Sequence, residues 1–101
     1  MKTKRIAFLG GGNMAEAILG GLLAGDVALA GNIVASDISE ARRAWLVKEY
    51  GIDVTDGNAV AVSGADVVVL AVKPQQVAEV LGSARKAFTE TQLLVSICAG
   101  L

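Results

Sequence analysis

Gly10-Gly11-Gly12-Asn13-Met14-Ala15 is the stretch whose residue types and spacing point to chemistry. Gly10, Gly12 and Ala15 fit the G-x-G-x-x-G/A spacing of a turn that holds a dinucleotide. Gly10 lets the chain leave a strand sharply. Gly12, with no Cβ, lets a pyrophosphate come close to the backbone. Ala15 is small enough for a new helix to pack on a sheet. Phosphate then sits on unpaired N–H groups at the helix N-terminus, where the macrodipole favours negative charge. In a chain with 12 glycines such spacing arises easily by chance, so its context decides. Ile6–Leu9 before it is an apolar run of strand length, and the apolar residues after it recur at helical spacing.

The other residues able to do chemistry are few. Asp37, at the end of the second strand-like run, has two readings. It can bond a ribose 2′-OH and repel a 2′-phosphate, or it can cap the next helix and point away from a ligand. Arg42 and Arg43 could pair a 2′-phosphate or form a solvated helix face. Lys73 stands at the end of another strand, near a ligand in one reading and an ordinary surface lysine in the other. Cys98 reads as a small buried residue, with no neighbour that would lower its pKa. Asn58 alone is turn chemistry. No residue offers itself as a general acid. One cysteine and no histidine exclude a disulfide framework and argue against a zinc site built by this chain alone.

These residues need a scaffold, and 101 residues suffice for one domain spanning 1–101. Nine basic and ten acidic residues leave a net charge of −1, with no basic excess to hold nucleic acid or an anionic membrane. The hydrophobic share of 53% against 19% charged suits strands buried on both faces. No apolar run reaches the roughly 18 residues of a membrane span. Lys2, Lys4 and Arg5 ahead of apolar residues imitate a signal peptide, but the glycines and Glu16 interrupt it. A cytoplasmic protein is the simplest expectation.

The pattern predicts strands over Arg5–Leu9, Ile33–Ser36, Ile52–Val54, Asp66–Val72 and Leu93–Ile97. Between them it predicts helices over Asn13–Ala24, from Asp37 to about Tyr50, over Ala59–Val62, and after Pro74. Met14, Ile18 and Leu22, with Ala15 and Leu19, form the inner stripe of the first helix. Asp37 followed by Glu40 is close to a capping box, with Ile38, Ala41 and Trp45 on one face of the helix and Gly51 as the C-cap. Gly20-Gly21 weakens the first helix unless a neighbouring strand comes close. Pro74 suits a first helical turn, and Val77, Val80, Leu81 and Ala84 line the helix after it. Alternating strands and helices mean a doubly wound parallel α/β sheet of the Rossmann kind, in strand order 3-2-1-4-5. A ligand should cross the C-terminal strand ends, where the order reverses between strands 1 and 4.

With the motifs placed, three of them resemble the N-terminal domain of pyrroline-5-carboxylate reductase. They are Gly10-Gly11-Gly12-Asn13-Met14-Ala15, Leu70-Ala71-Val72-Lys73-Pro74-Gln75 and Ser96-Ile97-Cys98-Ala99-Gly100. That enzyme reduces a cyclic imine, 1-pyrroline-5-carboxylate, to proline with NAD(P)H. The resemblance implies that amides around Asn13 and Met14 meet the pyrophosphate, and that Ser36 and Asn58 flank the adenosine ribose. It places Val72, Lys73 and Pro74 beside the nicotinamide ribose, and Ala99 and Gly100 beside the nicotinamide. With Ser36 in the ribose slot, Asp37 becomes a cap and NADP(H) is favoured, with NAD(H) second. The family carries a second, helical domain that builds a homo-oligomer and the imine pocket, so this chain looks like the cofactor-binding part. The proton for the imine would come from that domain or from water. Two other functions fit the same turn: a dinucleotide-sensing domain without catalysis, and the nucleotide domain of a hydroxyacid or coenzyme F420-linked reductase.

Overall fold

The computed structural model describes residues 2–97. Five strands, β1 (Ile6–Leu9), β2 (Ile33–Ser36), β3 (Asp53–Thr55), β4 (Val67–Leu70) and β5 (Leu93–Ser96), form one sheet. Their order is β3-β2-β1-β4-β5, and every pair is parallel. The predicted doubly wound topology is the observed one. β1 lies at its centre and all four of its residues are buried.

Alternate β1 residues feed two cores, as a period of two requires. Ile6 and Phe8 face α1 (Asn13–Ala24) and α2 (Glu40–Tyr50), meeting Ala15, Leu19 and Leu46. Ala7 and Leu9 face the other side, where α3 (Asn58–Val62) and α4 (Val77–Ala84) supply Ala61, Val62 and Ala84. Val77, Val80 and Leu81 pack against this second core, as the pattern after Pro74 predicts. Pro74–Gln76 form a single 3₁₀ turn ahead of α4. Gly51 ends α2 in the left-handed conformation at φ 68°.

The inner faces of two helices differ from expectation. In α1, Ala15 and Leu19 are buried and Ile18 and Leu22 pack against the first core as expected, and only Met14 departs from the stripe, 39% exposed at the open end of the helix. Gly20 faces the Tyr50 ring of α2 rather than a strand, and a Cβ on Gly21 would meet nothing. In α2, Ile38 lies outside the helix at 92% exposure, and Trp45 is 42% exposed. Leu46 is buried instead. The helix also starts later than the capping pattern suggests. Ser39 is its N-cap, accepting from the Arg42 N–H at 3.1 Å.

Candidate functional site

The turn between β1 and α1 is held by backbone and side chains of the β2–α2 connection. The Gly10 N–H donates to the Ser36 carbonyl at 2.9 Å. The Gly11 N–H donates to Asp37 Oδ2 at 3.1 Å. The Gly11 carbonyl accepts from Arg42 Nε. Each glycine meets a different demand. Gly10 has φ +99°, and a Cβ on it would lie 2.5 Å from the Ala71 carbonyl oxygen and 2.8 Å from Val72 Cγ1. A Cβ on Gly12 would meet no atom within 4 Å. The chain itself therefore has no packing reason to keep Gly12 bare, and the space beside it is open.

Beyond Gly12, α1 begins with its donors unspent. The Glu16 N–H is the first to find a helical acceptor, the Gly12 carbonyl at 2.9 Å. Among the described residues, no acceptor pairs with the N–H groups of Gly12, Asn13, Met14 and Ala15. Four free donors at the positive end of a helix, over a residue without a side chain, are the fit a pyrophosphate requires.

The other expected residues gather along the same edge. Val72 is half-buried beside Gly10, and Lys73 and Pro74 are exposed just after it. The Lys73 N–H donates to Gln76 Oε1 at 3.2 Å, which leaves the lysine ammonium outside that bond. Ser36 and Asn58 come together, but not as two flanks of an open slot. Ser36 is 1% exposed, and its hydroxyl donates to Asn58 Oδ1 at 2.5 Å. Asn58 Nδ2 in turn donates to Ser83 Oγ at 2.8 Å. The Ser36 hydroxyl is thus enclosed, and what it does in this structure is hold the Asn58 side-chain amide. Asp37 is not a helix cap pointing away. Its two oxygens take the N–H groups of Gly11 and Ser39, which puts the carboxylate against the glycine turn. Cys98, Ala99 and Gly100 lie outside the described residues.

A polar cluster behind the turn is absent from the sequence expectations. Glu16 accepts from Arg42 Nη2 at 2.5 Å, from the Tyr50 hydroxyl at 2.6 Å and from Trp45 Nε1 at 3.4 Å. The Tyr50 hydrogen bond, and then the Arg42 one, hold the Glu16 carboxyl below its ordinary value. The same bond to Glu16 pushes the Tyr50 phenol up. One signal could have revealed the cluster: Arg42, Leu46 and Tyr50 are spaced four apart and share a helix face. Hydrophobicity alone favours Trp45. Arg43 also turns inward, donating from Nη1 to the Asp37 carbonyl at 2.7 Å.

A hollow of about 230 Å³ lies elsewhere, lined by Arg5, Asn32 and Asp53 at the N-terminal strand ends. It is remote from the turn, and parallel sheets of this kind bind ligands at the opposite, C-terminal edge. Among the described residues there is no cluster of metal-ligating side chains and no helix long and apolar enough to cross a membrane.

Sheet order, glycine turn and free helix N-terminus together put the chain in the class of Rossmann-type dinucleotide-binding domains. Residues 5–100 match the family described as NADP oxidoreductase, coenzyme F420-dependent, and the chain belongs to that family. It is 50% identical over all 101 residues to a pyrroline-5-carboxylate reductase of Pseudomonas aeruginosa, and covers 37% of that protein. One from Vibrio alginolyticus is 46% identical with the same coverage. Among solved structures, the pyrroline-5-carboxylate reductase of Coxiella burnetii superposes at a TM-score of 0.90 with 35% identity. It matches 97% of this chain and 36% of its own. The Plasmodium falciparum enzyme, solved with NADP bound, gives 0.83 at 26% identity, over 100% of this chain and 36% of its own. The resemblance carried by the three motifs is thus borne out. The chain spans little more than a third of the length of these relatives.

Proposed function

We propose that this chain is the nucleotide-binding domain of a pyrroline-5-carboxylate reductase that takes NADP(H). The observation that carries the reading is the open space at Gly12 beneath four free amides. The relatives that share this domain, one of them solved with NADP, support the choice of nucleotide and enzyme. The bound nicotinamide supplies the hydride. This chain's part is to hold the pyrophosphate on the amides of Gly12–Ala15 and the adenosine end near Asn58. Val72, Lys73 and Pro74 border the nicotinamide ribose, and Ala99 and Gly100 border the ring. That placement matters because hydride transfer needs the imine carbon about 3–3.5 Å from the donor carbon. Product L-proline would make the reaction the last step of proline biosynthesis. The reading includes a homo-oligomeric, cytoplasmic enzyme acting on a small molecule, without nucleic acid or membrane.

One observation favours NAD(H) as a second reading. The Asp37 carboxylate lies at the end of β2 against the turn, where negative charge repels a 2′-phosphate. Titrating ¹⁵N-labelled protein with NADPH and then NADH tests both readings. The amides of Gly12–Ala15 and of Val72 and Lys73 are expected to shift together, at lower concentrations of NADPH. Shifts confined to the far strand ends would defeat the site assignment, and tighter NADH would establish the second reading.

A further inference from the structure

Among the described residues, the hydrogen bonds that hold Gly10 and Gly11 come from the β2–α2 side of the turn. The β2–α2 segment takes the Gly10 N–H through Ser36, the Gly11 N–H through Asp37 and the Gly11 carbonyl through Arg42. In a trans peptide the carbonyl and the following N–H point in opposite directions. Fixing the Gly11 carbonyl on Arg42 therefore aims the Gly12 N–H away from α2. Fixing the Gly11 N–H on Asp37 prevents the preceding peptide from flipping to undo this. Glycine needs such a constraint, since three in succession give the backbone more freedom than any other residue would.

Arg42 can act as a strut because it is anchored at both ends. Nε reaches the Gly11 carbonyl, and Nη2 reaches Glu16 one turn into α1, the helix that carries the free amides. The guanidinium plane thus ties the turn to its helix. It also pairs a carboxylate that would otherwise put negative charge beside the phosphate position. Arg42 and Glu16 side chains are only 23% and 25% exposed, and Tyr50 closes the far side of Glu16.

We propose that Arg42, with Asp37, is a positioning residue for the pyrophosphate: it orients the Gly11–Gly12 peptide so that the cradle amides face the ligand. The proposal rests on the reading that these amides hold a dinucleotide. It departs from the sequence alternative in which Arg42 pairs a 2′-phosphate, because that guanidinium is already engaged with the turn.

The experiment is a titration of the wild-type chain, Arg42→Lys and Arg42→Met with ADP, NADH, NADPH and adenosine, followed by ¹⁵N amide shifts. Lysine keeps the charge but not the planar fork that joins Gly11 to Glu16. Both variants are expected to lose about tenfold for the three pyrophosphate ligands alike, equivalent to about 1.4 kcal/mol. The NADPH/NADH ratio and the response to adenosine should stay unchanged, and the free-state Gly12 amide signal should move. Loss restricted to NADPH would make Arg42 a 2′-phosphate ligand and overturn the proposal. Full recovery in Arg42→Lys would reduce its role to charge, and loss extending to adenosine would reduce it to general stability; either overturns it. If Arg42→Met fails to fold, Glu16→Gln, which keeps Arg42 but weakens its anchor, should show the same uniform loss at about threefold. A wild-type chain that binds none of the ligands would instead defeat the nucleotide reading itself.

Discussion

A methyl group at Gly10 would press on the Ala71 carbonyl oxygen at 2.5 Å in a conformation of positive φ, whereas one at Gly12 would meet nothing. Two glycines of one motif thus answer to different constraints, the fold and the ligand. Gly10→Ala should destabilise the chain by about 2–4 kcal/mol, since backbone must move to relieve the contact and the strained φ remains. Urea denaturation measures this, and a loss below about 1 kcal/mol would mean that the turn relaxes freely. Ser36 shows the limit of residue-level reading. Its position was legible in the sequence, but a buried hydroxyl and an exposed one are the same letter. Only the packing of α3 reveals that it orients Asn58. The same holds for Asp37, which takes one N–H two residues on and the other from a turn 26 residues earlier in the chain.

At the scale of elements, the strand order and α1 were legible because strands buried on both faces are continuous apolar runs and α1 has a clear stripe. α2 was misread because it docks through a mixed face. Leu46 is its buried apolar residue, flanked by Arg42 and Tyr50, whose polar ends are satisfied by Glu16. Leu46→Ala should therefore cost about 2–5 kcal/mol, while Trp45→Ala, at a half-exposed position, should cost markedly less. Comparable losses in a denaturation series would restore Trp45 to the inner face. The Glu16 cluster gives a pH signature. Its carboxyl is lowered in the folded chain, first by the Tyr50 hydrogen bond and then by the Arg42 one. The stabilisation is thus fully present above the ordinary value of 4.5, and lost as pH falls through the lowered folded value. The stability difference between wild type and Glu16→Gln should be constant near neutrality and shrink on acidification. A difference that grows in acid would contradict this.

Over the whole molecule, burial grades outward from the centre of the sheet. β1 is buried throughout, and every residue of β5 is exposed, Leu93 at 59% and Leu94 at 45%. Amide exchange should accordingly be slowest in β1 and its neighbours β2 and β4, and fastest in β3 and β5. Equal protection across the sheet would show the edges to be covered in solution. The buried centre of the sheet carries the glycine turn at its C-terminal end, where the proposed function puts the nucleotide. Calorimetric titration of NADPH into the wild-type chain and Gly12→Val tests the central claim most directly. Wild type should bind at about tens of micromolar, near −6 kcal/mol. The variant should keep its stability to within about 1 kcal/mol, because a Cβ there meets no protein atom within 4 Å, yet show no binding heat. Equal affinity in a folded Gly12→Val, or no binding by the wild type, would contradict the account.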